Sequence, residues 1–231
     1  TLLSALIVVS IPRLAYYLGN GQRDMFEKTL QKVFSALMTF AFPIIIGVIC
    51  LSEEIILFLS DYSFIEATHS LKLLSIATIF SILSYIYGQC VLLPLKKESL
   101  LLVATVTSAI TNIVLNIILI PYLYESGAAL TTIISEALVF VICWFYIRKD
   151  ISVCSNSGVF LKPMWGSVFI ALSCETIKYF SSSAMTTVIL AVFVSCLCYW
   201  FVEFLVKNEL IVLYTKKVFL IFKRRISRRL E

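Results

Sequence analysis

The chain has 231 residues, of which 60% are hydrophobic and 14% charged, with a mean hydropathy of +0.98 and a formal net charge of +5. A water-soluble domain is nearer half apolar and a quarter charged, which excludes a soluble enzyme. The basic residues form no patch with interleaved aromatics, so nucleic acid is not an expected partner, and the continuous apolar runs lack the alternation of barrel strands. The composition is that of an all-α integral membrane protein.

The chain opens on TLLSALIVVSIP, already inside an apolar run and without a basic n-region or a small-residue cleavage site. It reads as the continuation of a larger protein, with an N-terminal half missing, rather than as a signal peptide. Seven membrane segments are predicted, at about 1–18, 34–59, 71–94, 99–121, 127–147, 163–180 and 186–206, each close to the roughly 20 residues a crossing helix needs. Residues 1–206 are thus a transmembrane helical bundle. Between the first two segments, Phe26, Leu30, Val33 and Leu37 recur at helical spacing among charges and predict an amphipathic helix on the membrane surface. Pro43, with Gly47 one turn on, is expected to kink the second segment, and Pro94 and Pro121 to close the third and fourth. Residues 207–231 form a basic amphipathic tail, with Lys216, Lys217, Lys223, Arg224, Arg225, Arg228 and Arg229 placed to lie on anionic lipid.

All Lys and Arg except Lys72 and Lys178 fall on one side of this alternation. By the positive-inside rule that side is cytoplasmic, which places the C-terminus inside. Lys72 and Lys178 can snorkel to the outer interface, and Glu175 can pair with Lys178 at i,i+3. The seven cysteines lie mostly within apolar runs and read as small buried hydrophobes, not disulfides or metal ligands. The sequence has no HExxH, GxSxG, DDxxD or P-loop, and His69 is solitary, so no catalytic constellation and no cofactor site are expected.

Polar residues inside the segments carry the functional signal. Thr105, Ser108, Asn112 and Asn116 fall within an arc of roughly 80° on the fourth segment. Thr78, Ser81, Tyr85 and Gln89 form a looser stripe on the third, and the fifth carries Thr131, Thr132, Ser135 and Glu136. Counted from Pro121 and Gly127 in an antiparallel hairpin, Asn112 and Glu136 lie at one depth near the bilayer centre. Two readings stay open. Hydroxyls and amides can glue helices, at about 0.6 kcal/mol per bond. Alternatively they line a polar path, in which Glu136 either bonds Asn112 as a neutral acid or loads and unloads a proton, since a mid-membrane carboxylate costs roughly 3 kcal/mol or more.

Several stretches carry a resemblance. IPRLAYYLGNGQRDMFEKTLQK, FAFPIIIGVICLSEEIILFL, SLKLLSIATIFSILSYIYGQCVLLPLKK and NIVLNIILIPYLYESGAALTTIISEALVF resemble successive helices of bacterial polysaccharide flippases, of the multidrug/oligosaccharidyl-lipid/polysaccharide exporter superfamily. The motifs cover about residues 1–150, and 151–231 follow by hydropathy. The resemblance implies the second lobe, helices 8–14, of a two-lobed transporter with a central alternating-access cavity. It implies flipping of an undecaprenyl-pyrophosphate-linked oligosaccharide, such as an O-antigen or capsule unit, across the bacterial inner membrane for surface polysaccharide and lipopolysaccharide biosynthesis. On that footing Arg13, Gln89, Thr105, Ser108, Asn112 and Asn116 are substrate-cavity candidates, and Glu136 is the candidate for coupling to a proton or sodium gradient. Arg13 either meets the pyrophosphate or anchors the helix end at the interface. A drug or small-solute exporter of the same superfamily, and a seven-helix receptor, are the alternatives.

Overall fold

Backbone polar groups in hydrocarbon must be satisfied within the chain, and every regular element among the described residues of the computed structural model is a helix. The structure describes residues 2–148, 158–181, 183–206, 208, 211, 212 and 215. Almost all of the basic tail and the 149–157 connection lie outside them.

Helix α1 (Leu2–Gly19) turns at Gly21, whose φ of 71° suits a residue without a Cβ. Helix α2 (Arg23–Cys50) starts well before the predicted membrane segment. The expected surface helix is thus the first turns of α2 itself, because its apolar stripe has a protein partner: Phe26, Leu30 and Leu37 are fully buried. Pro43 is carried inside α2 without interrupting it. The helix ends at Leu51 (φ −98°, ψ 12°), and α3 (Ser52–Leu59) completes what hydropathy reads as one segment. A 3₁₀ turn, Tyr62–Phe64, leads into α4 (Ala67–Tyr85), which continues as a π-helical stretch, Ile86–Leu92.

Helix α5 (Glu98–Ile147) is two arms joined at Tyr124, whose φ of 49° and ψ of −131° are not helical. Ser108 Oγ donates to the Ser135 carbonyl at 2.8 Å. In a straight helix those residues would stand about 40 Å apart, so the arms fold back as an antiparallel hairpin. Pro121 does not end the first arm, which runs on to Leu123. At the turn, Gly127 packs directly on the Leu119 backbone, where an added Cβ would stand 2.8 Å from the carbonyl oxygen. Helix α4 lies along the second arm in the same direction, with Ser70 near Ser126 (3.4 Å) and Ser84 Oγ donating to the Glu136 carbonyl (2.9 Å). Helices α6 (Gly158–Phe180) and α7 (Ala184–Leu205) form the last hairpin.

Helix α2 is the spine. One side packs with α1, α4 and the π-helical stretch around Leu14, Phe26, Leu30, Phe34, Ile86, Val91 and Leu92. Its far end meets α6 and α7 around Leu51, Ile170, Cys174 and Ala191. Ile110, Ile113 and Ile117 on α5 and Phe193, Leu197 and Phe201 on α7 face outward. Large exposed apolar surface of this kind is what lipid, not water, would solvate. Among the described residues, four helical stretches, Arg23–Cys50, Ala67–Leu92, Glu98–Ile147 and Ala184–Leu205, are long and apolar enough to cross a membrane.

Candidate functional site: polar clusters between the helices

The first cluster is the seam of the α5 hairpin. Helical spacing sets Ser108, Asn112 and Asn116 on one face, and the antiparallel arm returns Thr131 and Ser135 opposite them. Asn116 Nδ2 donates to Asn112 Oδ1 at 2.9 Å, and Thr131 Oγ1 reaches Asn116 Oδ1 at 2.6 Å and the Ala128 carbonyl at 2.8 Å. Thr131 and Ser108 are buried, and the two amides are half-buried. Ser135 Oγ is sealed in with no hydrogen-bond partner. Thr105 is exposed and returns its hydroxyl to the Leu101 and Leu102 carbonyls, so it does not join the seam.

The expected meeting of Asn112 with Glu136 does not form. The count from Pro121 and Gly127 assumed that those residues sit level, whereas the bare Gly127 backbone packs on Leu119. The two-residue offset moves the register by about 3 Å and sets Asn116 against Thr131. Glu136 is half-buried, one residue on from Ser135 and so about 100° round the helix, at the level where Ser84 of α4 bonds its carbonyl. Gln89 is half-buried within the π-helical stretch, apart from the seam.

Arg13 stands exposed on α1, its Nε donating to the Tyr17 hydroxyl at 3.1 Å and its guanidinium 5.6 Å from the Tyr17 ring centre. Beside α1 opens a cavity of about 520 Å³, lined by Ile11, Ala15 and Leu18 and by Leu93, Pro94 and Leu95, with Lys96 and Glu98 also on its wall. Arg13 is not among its lining residues.

The second cluster joins α2, α6 and α7, and hydropathy gave no reason to look for it. Glu203 is fully buried near the end of α7. Asn208 Nδ2 donates to Glu203 Oε2 at 2.6 Å and to Thr39 Oγ1 at 3.1 Å, while the Tyr199 hydroxyl donates to the Thr39 carbonyl at 2.7 Å. Thr39 Oγ1 in turn bonds the Ser35 carbonyl. Glu203 Oε1 has no hydrogen-bond partner. It faces Gly166 of α6, where an added Cβ would stand 2.7 Å from it and 2.6 Å from the Tyr199 ring. The only sequence signal was an acidic residue within WFVEFLV, at the margin of an apolar run.

At the opposite end of the bundle Lys178 bridges Glu54 of α3 at 3.2 Å and Glu175 at 3.8 Å. The i,i+3 pair expected from sequence therefore shares its lysine with another helix. Ser173, Cys174 and Ser195 link α6 to α7 between these ends.

Among the described residues no three metal-ligating side chains converge. The whole is a polytopic helical lobe with amides, hydroxyls and carboxyls buried between its helices. The family of the lipid II flippase MurJ matches residues 2–211, and the chain belongs to that family. A solved structure of lipid II flippase MurJ in an inward closed conformation shares the fold, with a TM-score of 0.73 at 19% sequence identity over 90% of this chain. The chain spans 45% of the length of that structure. A comparison with curated proteins gives no match. The family is one of flippases for lipid-linked precursors and not of enzymes, which leaves the receptor alternative without support. The resemblance to polysaccharide flippases holds at this coarser level, of a flippase within the same superfamily.

Proposed function

We propose that the intact protein containing this chain moves lipid II, the lipid-linked peptidoglycan precursor, from the cytoplasmic to the outer leaflet of the bacterial inner membrane. The observation that carries this reading is the family match over residues 2–211. It favours a peptidoglycan precursor over the O-antigen or capsule unit expected from the motifs alone. In this reading the basic connections around residues 20–33, 95–98 and 148–162 and the tail face the cytoplasm, where anionic lipid holds the tail.

Arg13 is the cation proposed to meet a pyrophosphate, because a guanidinium offers paired donors to phosphate oxygens. Gln89, Ser108, Asn112 and Asn116 supply amide and hydroxyl groups of the kind that bind sugar hydroxyls. The hydrogen bonds within the α5 seam support a helix-joining role for Ser108, Asn112 and Asn116 alongside any contact with cargo. Glu136 is the carboxyl proposed to couple transport to an ion gradient. Glu136→Gln then leaves insertion intact and abolishes gradient-driven flipping, whereas unchanged gradient dependence removes the coupling role.

The test is reconstitution of the intact protein in vesicles loaded with labelled lipid II or with an undecaprenyl-pyrophosphate-linked O-unit. Appearance of lipid II at the opposite leaflet, with little movement of the O-unit, supports the reading. The reverse preference overturns it in favour of surface polysaccharide export.

A further inference from the structure

The carboxyl group at the α2–α6–α7 junction has no part in the function argued above. Glu203 is fully buried, and only one of its oxygens is hydrogen-bonded. A buried ionised carboxylate demands partners for both oxygens, or a closely paired cation with good geometry. Oε2 has the Asn208 amide, but Oε1 is pressed against the Gly166 backbone.

That crowding also selects the ligand. An added Cβ on Gly166 would stand only 2.7 Å from Oε1 and 2.6 Å from the Tyr199 ring. A sodium ion needs several oxygens arranged around it and has no room here, whereas a proton needs none. Among the described residues, the groups facing Glu203 are Gly166 and, at longer range, Lys162 from α6; Tyr199 on α7; Thr39, through Asn208, from α2; and Asn208 after α7. The Tyr199 hydroxyl is already committed to the Thr39 carbonyl. Lys162 is the one basic group in this set, and it has interactions of its own.

We propose that Glu203 is a proton-binding site and that its protonated form latches the α6–α7 hairpin to α2. Asn208 spans the joint: a single amide nitrogen reaches both Glu203 and Thr39, so the acid on α7 and the hydroxyl on α2 are held through one group. With the proton on Oε1 the junction is neutral and closed. Loss of the proton leaves the charge on a carboxylate whose Oε1 meets the Gly166 backbone and no donor, and α7 moves away from Gly166 to find water or the Lys162 ammonium. The latch tightens as pH falls and loosens as it rises. It is independent of which lipid-linked cargo the protein carries.

The test uses the intact protein in lipid, with Glu203→Gln as the isostere of the protonated acid. Infrared spectroscopy at neutral pH should show a protonated-carboxyl carbonyl band that is lost in Glu203→Gln. Hydrogen exchange over residues 199–206, corrected for the intrinsic pH effect, should speed up in the wild type as pH rises and stay slow in Glu203→Gln. The variant's melting temperature should equal or exceed that of the wild type, and Lys162→Met should leave the band in place. Absence of a lost band, an equal pH dependence in the variant, or failure of Glu203→Gln to fold each overturns the proposal. The last counts because glutamine preserves a neutral latch and destroys only an ionised one.

Discussion

Asn116 ties the α5 seam, donating to Asn112 one turn back on its own arm and accepting from Thr131 on the other. Replacing it by alanine removes both bonds at once, and at about 0.6 kcal/mol for the bond between the arms and a few tenths for the i,i+4 bond the expected loss is about 1 kcal/mol of stability. Thermal unfolding in detergent measures this directly. A transport defect much larger than that loss would put Asn116 in contact with cargo as well, whereas an equal loss in both would leave it a helix-joining residue. Asn112 and Asn116 announce themselves as amides in an apolar run, at a spacing that fixes their shared face. Glu203 is equally polar, but its partners are Thr39 on α2, Gly166 on α6 and an asparagine beyond the helix end. No periodicity links positions so far apart in the chain, and only the packing of α7 on α2 and α6 brings them together.

At the scale of elements, the α5 hairpin depends on two backbone positions at its turn. Tyr124 adopts φ 49° and ψ −131°, a conformation that glycine takes freely and a residue with a Cβ holds at a cost of about 1–3 kcal/mol. Tyr124→Gly should therefore raise the melting temperature. Gly127→Ala should do the opposite, since its Cβ would stand 2.8 Å from the Leu119 carbonyl oxygen and backbone atoms cannot step aside cheaply. A loss of about 1–3 kcal/mol is expected, measured by the same thermal unfolding. These two positions explain why the paired depth of Asn112 and Glu136 failed as an expectation. Proline and glycine are reliable signs that a turn is near, but they do not say which residues sit level across it. The boundaries of α2 have a similar origin: hydropathy detects where the apolar run starts, whereas helix continues through any amphipathic turns that have a partner to pack on, here α1 and the end of α4.

For the molecule as a whole, the order and relative directions of the helices follow from length and hydropathy, because each apolar run must cross or return. The α4 helix running parallel to the second arm of α5, and antiparallel to the first, is the arrangement that alternating crossings produce. Labelling the intact protein with a membrane-impermeant thiol reagent checks the orientation. Cysteines placed at Asp61 and Glu125 should react from outside the cell, and one at Lys96 only after the membrane is opened. What hydropathy could not supply is the cargo, since amides, hydroxyls and exposed guanidiniums such as that of Arg13 serve any phosphorylated glycolipid. The match to the lipid II flippase family is what supports the proposal of lipid II as the cargo. The most direct test is to express the intact protein in a bacterium from which the resident lipid II flippase is being depleted. Lipid II transport by this protein predicts that growth and delivery of lipid II to the outer leaflet are restored together. Lipid II that still accumulates on the cytoplasmic leaflet, in cells where the protein is folded and inserted, would contradict it.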